Sequence, residues 1–344
     1  MCVGHLRAWA CLLLCGVGAL LAGGAASAAT RPPTPLAYLD HALALMSANA
    51  VVAPVKGWPV VIRQARRMAA HAKKPADTYG AIIFALDQLY NAGDAHARFA
   101  NPLTAKGDAQ AATLVGTTAT PPPSVSLLDG RLGVITIPAI DSPPTSPNGR
   151  RYSTSALSAL SALETERDPC GWIVDLREDS GGNMYPMLLS LGPLLGNGPL
   201  IGFTGRSGFR FSVSYSDGVL SGGGYTVSAP VLVPALSPAP PLAVLTGPTT
   251  ASSGEAVAIA LRGRQNTRSF GAATAGITTS PHSYRLADGA LISFSVSHDV
   301  DRNGTVYTAP IPPDQPIATD LPDSTSEQAA EQWLLATSEC SHPG

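Results

Sequence analysis

The sequence predicts an α/β fold with an N-terminal helical cap, and two observations carry this prediction. From about residue 36 to residue 99, apolar residues recur at helical spacing. From Gly130 onward, short apolar runs typical of buried strands alternate with segments of helical pattern. Alternating strands and helices favour an α/β core, so we interpret the preceding helical segment as a cap on that core.

The helical segment contains three apolar sets, with breaks at Pro54 and Pro75. In chain order the sets are Leu36, Leu39, Leu43, Met46; Val60, Ile62, Ala65, Met68; and Ile82, Ile83, Leu86, Leu89. Residues 101–127 are rich in Pro, Thr and Ala, and this composition indicates a connector.

The core segment reads as strands and helices of ordinary length. Strands are predicted at 132–138, 172–176, 200–203 and 209–215, and a hairpin over 284–296 that turns at Asp288-Gly289. Helices are predicted at 154–165, 184–195, 253–263 and 326–336, with a proline-rich linker over 234–241.

The N-terminus has the order of a secretory signal peptide. Arg7 precedes an apolar run from Ala8 to Ala22, and a stretch of small residues follows that ends in Ala26-Ser-Ala28. Cleavage there would remove residues 1–28 and leave a secreted or periplasmic chain without stable membrane insertion. The alternative is an uncleaved membrane anchor, although the apolar run is short for a span.

Composition and short motifs limit the partners and cofactors that we expect. The formal net charge of −2 gives no indication of a nucleic-acid or anionic-lipid partner. The sequence contains no H-E-x-x-H, paired-cysteine metal pattern or P-loop, so no metal and no cofactor are expected. The mature chain keeps two cysteines, Cys170 and Cys340, which can pair in an oxidising compartment. The alternative is two buried free thiols.

The most informative stretch runs from Gly247 to Leu261. It follows an apolar run and leads into a helical segment, so its serines lie at the start of a helix, where unpaired backbone N–H groups face outward. This is a place where a serine nucleophile and its oxyanion can be stabilised. The alternative is structural, because Ser252 and Glu255 fit the S-x-x-E capping box.

Two other segments carry candidate chemistry. Asp175-Leu-Arg-Glu-Asp-Ser-Gly-Gly182 joins a strand to a helix, and its glycine pair would let backbone N–H groups approach an oxyanion. The alternative is a turn that glycine permits. His96, in Gly93-Asp-Ala-His-Ala-Arg-Phe99, ends the helical segment and is a candidate general base. A lone histidine is more commonly structural.

Together these segments resemble the C-terminal processing (tail-specific) serine proteases and their tricorn-like relatives. The resemblance rests on Asp-Leu-Arg-x-x-x-Gly-Gly followed by Thr250-Ala-Ser-Ser-Gly-Glu255, and on three later motifs. These are Gly271-Ala-Ala-Thr-Ala-Gly276, Tyr284-Arg-Leu-Ala-Asp-Gly289 and Ile311-Pro-Pro-Asp314. The family implies a Clp protease/crotonase-like core, hydrolysis of peptide bonds and a polypeptide substrate.

The family's nucleophile corresponds to Ser252. The oxyanion hole would then use the N–H of Ser253 and an N–H of the Gly181-Gly182 pair. The usual lysine base is missing, because Ile277 occupies its position and no lysine follows Lys106.

The tricorn-like branch uses a histidine base, which His96 matches. Its orienting glutamate is replaced by Tyr307, which leaves three acids as candidates: Asp94, Asp299 and Asp301.

The resemblance divides the chain into a signal peptide (1–28), a cap carrying His96 (29–115) and a catalytic core (116–344). The stretch between His96 and the strand at Leu132 is too short for the PDZ module common in the family. The oligomeric state stays open.

Two other functional readings remain. Glu178-Asp-Ser-Gly-Gly182 resembles the signature of chymotrypsin-like proteases with Ser180 as nucleophile, although that fold is all-β. A catalytically degenerate member would instead bind a ligand or peptide, as retinoid-binding relatives of this fold do.

Overall fold

The computed structural model describes residues 33–52, 57–107, 120–206, 208, 210–318 and 322–341. All of them belong to one compact unit, Pro33–Gly344. The predicted signal peptide and both predicted domain boundaries, after residues 28 and 115, lie outside the described residues.

The N-terminal cap includes the helices α1 (Pro35–Asn49), α2 (Trp58–Met68) and α3 (Tyr79–Asn91). The hydroxyl of Thr34 accepts a hydrogen bond from Ala37 N–H at the start of α1, and a 3₁₀ turn at Pro75–Thr78 precedes α3. One face of each helix is buried in a shared apolar cluster. Four residues of the predicted apolar sets are exposed instead: Leu36, Val60, Met68 and Ile83. The predicted cap on an α/β core is confirmed.

The core is built on a six-stranded sheet in the order β13-β10-β9-β4-β3-β2. Its strands are β2 (Ser124–Leu128), β3 (Leu132–Thr136), β4 (Gly171–Asp175), β9 (Leu242–Thr246), β10 (Thr267–Gly271) and β13 (Gln315–Pro316). All neighbours in this sheet are parallel except β2, which pairs antiparallel with β3 at one edge.

Helices cover both faces of this sheet. On one face lie α4 (Pro147–Arg167), α5 (Met184–Leu195) and α6 (Ser253–Leu261). On the other lie α7 (Asp323–Leu335) and α8 (Ser338–Ser341). Strand β4 is therefore buried on both sides, which explains its continuous apolar sequence.

A second, antiparallel sheet joins the cap to the core. It contains β1 (Arg98–Ala100), β5 (Gly198–Gly205), β6 (Arg210–Ser216), β7 (Val219–Gly222), β8 (Tyr225–Ser228), β11 (Thr279–Arg285) and β12 (Leu291–Asp301). Strand β12 pairs with β11, β1 and β5. Ile292 and Phe294 of β12 belong to the apolar cluster of the cap, so this strand is the element on which the cap rests.

Polar contacts reinforce this junction at the predicted hairpin turn. The hydroxyls of Tyr38 and Tyr79 donate to the two carboxylate oxygens of Asp288 at 2.7 and 2.5 Å. Because β1 begins two residues after His96, the docking of the cap also fixes where that histidine lies.

The structure differs from the sequence-based prediction in the stretch expected to be a connector. Residues 124–128 form β2, which pairs with β3 across a turn at Asp129-Gly130. The apolar-polar alternation before Asp-Gly is a hairpin signal that the Pro- and Thr-rich composition obscured. Strands β7 and β8 were not predicted, and α4 begins at Pro147, where Ser146 caps it, rather than at residue 154.

Cys170 and Cys340 form a disulfide, with a Cα–Cα distance of 5.1 Å. The bond ties the C-terminal helix α8 to the residue before β4, in the middle of the sheet. It closes a loop that spans 170 positions of sequence. Long loops of this kind cost the unfolded chain entropy when they are closed, which favours the folded state.

We expect the disulfide to contribute about 2–4 kcal/mol to the free energy of unfolding. The mature protein should unfold at lower denaturant concentration after reduction, and the double substitution Cys170→Ser, Cys340→Ser should reproduce the loss without reductant. Denaturant unfolding followed by circular dichroism measures both. The same midpoint for the oxidised, reduced and substituted proteins would contradict the expectation.

Candidate active site

Ser252 occupies the sharp turn between β9 and α6. Its backbone has φ 51° and ψ −115°, outside the regions that residues other than glycine normally adopt. Such a conformation costs about 1–3 kcal/mol and persists only where the surrounding structure enforces it. The serine is half-buried at the N-terminal end of α6, so its hydroxyl is presented at the positive end of the helix dipole.

Glu255 holds this turn in place. Its buried carboxylate accepts hydrogen bonds from Ser252 N–H at 3.0 Å, Gly276 N–H at 2.8 Å and Ile277 N–H at 2.7 Å. It also accepts one from the hydroxyl of Thr274. The first contact is the glutamate half of the predicted capping box, and the other three fasten the Gly271–Gly276 loop to the turn. Ile277, at the usual lysine position, thus contributes its backbone to the site.

His96 lies between α3 and β1 and is held by a relay of hydrogen bonds. Its Nδ1 is 3.1 Å from Ser295 Oγ, and Ser295 Oγ is 2.7 Å from Asp94 Oδ1. Asp94 is fully buried and also accepts from Ser295 N–H at 2.9 Å and His96 N–H at 3.1 Å.

The relay favours one tautomer of His96. A carboxylate can only accept, so the Ser295 hydroxyl donates its one hydrogen to Asp94. Ser295 Oγ is left as an acceptor, and its distance of 3.1 Å from Nδ1 favours the tautomer with the proton on Nδ1 and the lone pair on Nε2. Thr279 Oγ1 lies 2.8 Å from Ser295 Oγ and 3.4 Å from Nδ1, so its hydroxyl belongs to the same network. Burial lowers the pKa of His96 below 6.5, outweighing the opposite effect of Asp94, so the neutral form predominates at neutral pH.

Ser252 and His96 line the same cleft, which has a volume of about 280 Å³. The cap contributes His96 and Arg98, while the core contributes the serine turn, Gly182 and the start of β11. No hydrogen bond joins Ser252 to His96 within the described part of the chain. The fold thus brings the two predicted residues to one cleft in an open arrangement.

The glycine pair lies against the serine turn. Gly181 and Gly182 have φ values of 104° and 115°, which favour glycine. A Cβ on Gly181 would lie 3.0 Å from Ser252 Cβ and 3.1 Å from Ser253 N. Ser253 Oγ donates to the carbonyl of Gly182 at 2.7 Å. The two segments are therefore in direct contact, as an oxyanion hole built from both would require.

The two glycine N–H groups differ in their availability. Gly181 N–H donates to Asp179 Oδ1 at 2.9 Å and is occupied. Gly182 lines the cleft, and its N–H has no acceptor among the described residues.

Asp179 lies behind the glycine pair and is fully buried. Burial raises its pKa to about 7, although the hydrogen bond from Gly181 acts in the opposite direction. Its second oxygen, Oδ2, has no hydrogen-bond partner in the residues that the structure describes.

The other two candidate acids lie in different places. Asp299 lines the cleft with Ser252 and His96. Asp301 faces a separate cavity of about 550 Å³ and accepts from Asn303 N–H, Thr305 N–H and the hydroxyl of Tyr307, each at 2.9 Å. Asp301 therefore organises a turn, and the structure does not bring it to the cleft.

Ser180, the alternative nucleophile, is exposed and does not line the cleft. The parallel sheet flanked by helices is also incompatible with an all-β fold. Sequence reasoning missed Ser295. The signal was the row of serines at 293, 295 and 297, an unusual polar face for a strand with apolar neighbours.

Comparison with known proteins agrees with this architecture. The sequence pattern described as "Peptidase family S41" matches residues 131–317, more than half of the chain. The chain belongs to peptidase family S41. This confirms the resemblance to the C-terminal processing proteases that the motifs indicated.

Individual relatives add detail. The chain is 30% identical over 164 residues to the nisin-resistance protein of Lactococcus lactis subsp. lactis, which is 48% of this chain and 49% of that protein. The chain thus spans about half the length of that relative.

Two solved structures share the fold. A lipoprotein from Streptococcus agalactiae aligns with a TM-score of 0.65 and 24% identity, over 88% of this chain and 97% of that one. The photosystem II D1 C-terminal processing protease aligns with a TM-score of 0.58 and 14% identity, over 90% of this chain and 99% of that one. These similarities confirm the Clp protease/crotonase-like core.

Two features are absent from the part of the chain that the structure describes. None of the helices there combines the length and apolar character needed to cross a membrane. No group of three or more His, Cys, Asp or Glu side chains there is placed to hold a metal ion.

We expect Asp179→Asn to remove a pH-dependent loss of stability. The folded protein keeps the Asp179 proton up to a pKa of about 7, whereas the unfolded chain releases it near 3.8. The native state binds more protons between these values, so this carboxyl makes stability fall as pH rises from about 4 to 7, by at most about 1.4 kcal/mol per pH unit.

Thermal unfolding of wild type and variant between pH 4.5 and 8 measures this effect. The variant should gain stability relative to wild type as pH rises, and the exposed Asp87→Asn controls for loss of a surface carboxylate. A constant difference between wild type and Asp179→Asn would show that Asp179 is already ionised at pH 4.5.

Proposed function

We propose that the protein is a secreted or periplasmic serine endopeptidase in which Ser252 is the nucleophile and His96 the general base. The observation that carries the proposal is the shared cleft: residues far apart in sequence, one from the cap and one from the core, line it together with Gly182. Membership of a peptidase family supports the reaction class. The division into a cap (29–115) and a core (116–344) is part of the same proposal.

The first chemical step follows from the tautomer of His96. With its proton on Nδ1, the ring accepts the Ser252 hydroxyl proton at Nε2 while Ser252 Oγ attacks the peptide carbonyl. The imidazolium then gives that proton to the leaving amine. In the second half of the reaction, the neutral imidazole takes a proton from water, which attacks the acyl-enzyme carbonyl. The imidazolium then returns that proton to Ser252 Oγ as the acid product leaves. The open arrangement requires substrate binding to bring the ring and the hydroxyl within hydrogen-bond reach.

The oxyanion would be stabilised by two backbone donors. Ser253 N–H lies at the start of α6, where helix N–H groups have no intrahelical acceptor. Gly182 N–H is the preferred second donor, because Gly181 N–H is already used by Asp179. Donors fixed by the fold in advance stabilise the developing charge without reorganisation.

Asp94 would act on His96 through Ser295. The carboxylate holds the serine hydroxyl, the hydroxyl accepts from Nδ1, and the imidazolium formed during attack is stabilised along this path. Asp94 is therefore the orienting acid that we favour among the three candidates.

The names of the relatives support the location and the substrate class. One relative is a nisin-resistance protein and a structural neighbour is a lipoprotein. Together with the predicted signal peptide, these favour a peptide substrate met outside the cytoplasm.

A second candidate function is a catalytically degenerate module that binds a peptide. Two observations favour it. No hydrogen bond joins the described residues Ser252 and His96, and Ile277 occupies the position of the usual lysine base.

We expect a fluorophosphonate probe to label Ser252 in the mature protein. Peptide mapping by mass spectrometry locates the label. Ser252→Ala should abolish labelling and reduce peptide hydrolysis by at least about 10⁴-fold, and His96→Ala should do nearly the same. The exposed Ser180→Ala is the matched control and should keep the label.

Each other outcome decides against part of the proposal. Label on Ser180 would support the chymotrypsin-like reading. Normal turnover by His96→Ala would reject the histidine as base. No label on a folded protein would favour the binding module.

We expect Ser295→Ala to lower kcat by about tenfold to hundredfold with little change in KM, because the ring loses its orientation but the peptide site is untouched. Ser295→Thr keeps the hydroxyl and should restore most of the rate. Ser293→Ala is the matched control, since that serine lies on the same face of β12 and bonds Ser283. Equal kcat in Ser295→Ala and wild type would show that the relay does not serve catalysis.

A further inference from the structure

The inner face of β12 is polar although it is buried. Alternate residues of a strand face the same side, and here they are Ser293, Ser295, Ser297, Asp299 and Asp301, each no more than 8% exposed. Three of them are already explained: Ser293 bonds Ser283, Ser295 belongs to the relay, and Asp301 organises a turn.

Ser297 and Asp299 are not explained in this way. Ser297 Oγ and Asp299 Oδ1 are buried without a hydrogen-bond partner in the described residues. Thr278 Oγ1 is also buried without a hydrogen-bond partner in the described residues. The Thr278 carbonyl accepts from Asp299 N–H at 3.1 Å. A buried carboxyl oxygen without a partner is costly, so it calls for a reason beyond folding.

The position of Asp299 supplies that reason. It lines the cleft that also contains Ser252 and His96, so it lies beside the bond that would be cut. The cleft, at about 280 Å³, is slightly smaller than the usual 300–1,000 Å³ range of small-molecule pockets, and this size suits a single side chain rather than a larger ligand.

We propose that Asp299 is a specificity-determining residue that receives the cationic side chain of a lysine or arginine next to the scissile bond of the peptide substrate. This inference rests on the proposed function of the cleft. A carboxyl group inside a pocket selects a basic residue because a neutral side chain leaves its hydrogen-bonding capacity unused.

The electrostatic surroundings suit this role. Burial raises the pKa of Asp299 to about 8, and the nearby Glu255 adds to the rise. The cap contributes His96 and the exposed Arg98 to the cleft, and the loop after β3 contributes the exposed Asp141. No ion pair joins Asp299 to any of these within the described ranges.

Binding of a cationic side chain changes the protonation state of Asp299. At pH 7 the free cleft holds Asp299 protonated, and an arriving ammonium or guanidinium group forms an ion pair only after that proton leaves. The protonated carboxyl and the cation become a carboxylate–cation pair, and one proton passes to solvent. Preference for a basic residue should therefore increase with pH up to about 8.

The test compares peptides that differ only in one residue beside the cleavage point: lysine, norleucine and glutamine. Acetylated and amidated ends leave that side chain as the only variable charge. We expect kcat/KM to be about tenfold to hundredfold higher for lysine than for norleucine at pH 8.5. This ratio should fall by about tenfold or more on going to pH 6.5, while lysine itself stays charged.

The substitution Asp299→Asn should bring the lysine-to-norleucine ratio close to one at every pH. Asp141→Asn is the matched control, because that acid is exposed in the same cleft and solvent weakens its influence; its ratio should stay within about threefold of wild type. Fluorophosphonate labelling of Ser252 and thermal unfolding, run on each variant, show whether it is folded and reactive.

The outcomes separate this inference from the function on which it rests. Wild-type protein that is labelled at Ser252 but prefers norleucine or glutamine would overturn the role of Asp299 and leave the peptidase standing. A lysine preference that survives in Asp299→Asn would do the same. Absence of label in folded wild type would reject the peptidase itself. The lysine-to-norleucine ratios and their pH dependence are measured on the wild-type protein. The inference can therefore be tested even if Asp299→Asn fails to fold.

Discussion

The buried carboxylate of Glu255 is the interaction on which the rest of the site depends. A charge removed from water is costly, and four donors compensate for it: three backbone N–H groups and the Thr274 hydroxyl. In return, one side chain fixes the strained backbone of Ser252 and the loop that follows β10. The strain at the nucleophile is thus maintained by the tertiary structure rather than by local sequence preference.

Strand β12 plays the corresponding part for the other half of the site. Its outer residues carry the apolar contacts of the cap, and its inner residues include Ser295, which contacts His96, and Asp299, which lines the cleft. A shift of this strand by one residue would exchange the two faces, so its register determines both whether the cap docks and whether Ser295 meets His96. The base is therefore positioned by long-range pairing, far from its neighbours in sequence.

This dependence explains what sequence could predict. Periodicity gave the cap and the alternating core, because each helix or strand shows its own buried face, and the motifs identified Ser252, His96 and the glycine pair as candidates. Ser295 was missed because its role requires a partner from another part of the chain. Glu255 was read only as a capping residue, since its contacts to the Gly271–Gly276 loop come from tertiary packing. Strands β7 and β8 were also missed, although they form local hairpins with β6 and with each other.

Two buried acids flank the serine, and their protonation bears on the chemistry. Asp179 lies behind the glycine pair and Asp299 lies in the cleft, with pKa values raised to about 7 and about 8. A carboxylate at either place would repel the oxyanion that forms on the substrate. Burial reduces this repulsion near neutral pH by favouring the protonated forms. A basic substrate side chain would achieve the same end at Asp299, because it supplies the neutralising charge itself. On this argument, the acid that selects the substrate can ionise without cost to the transition state only when the matching substrate is bound.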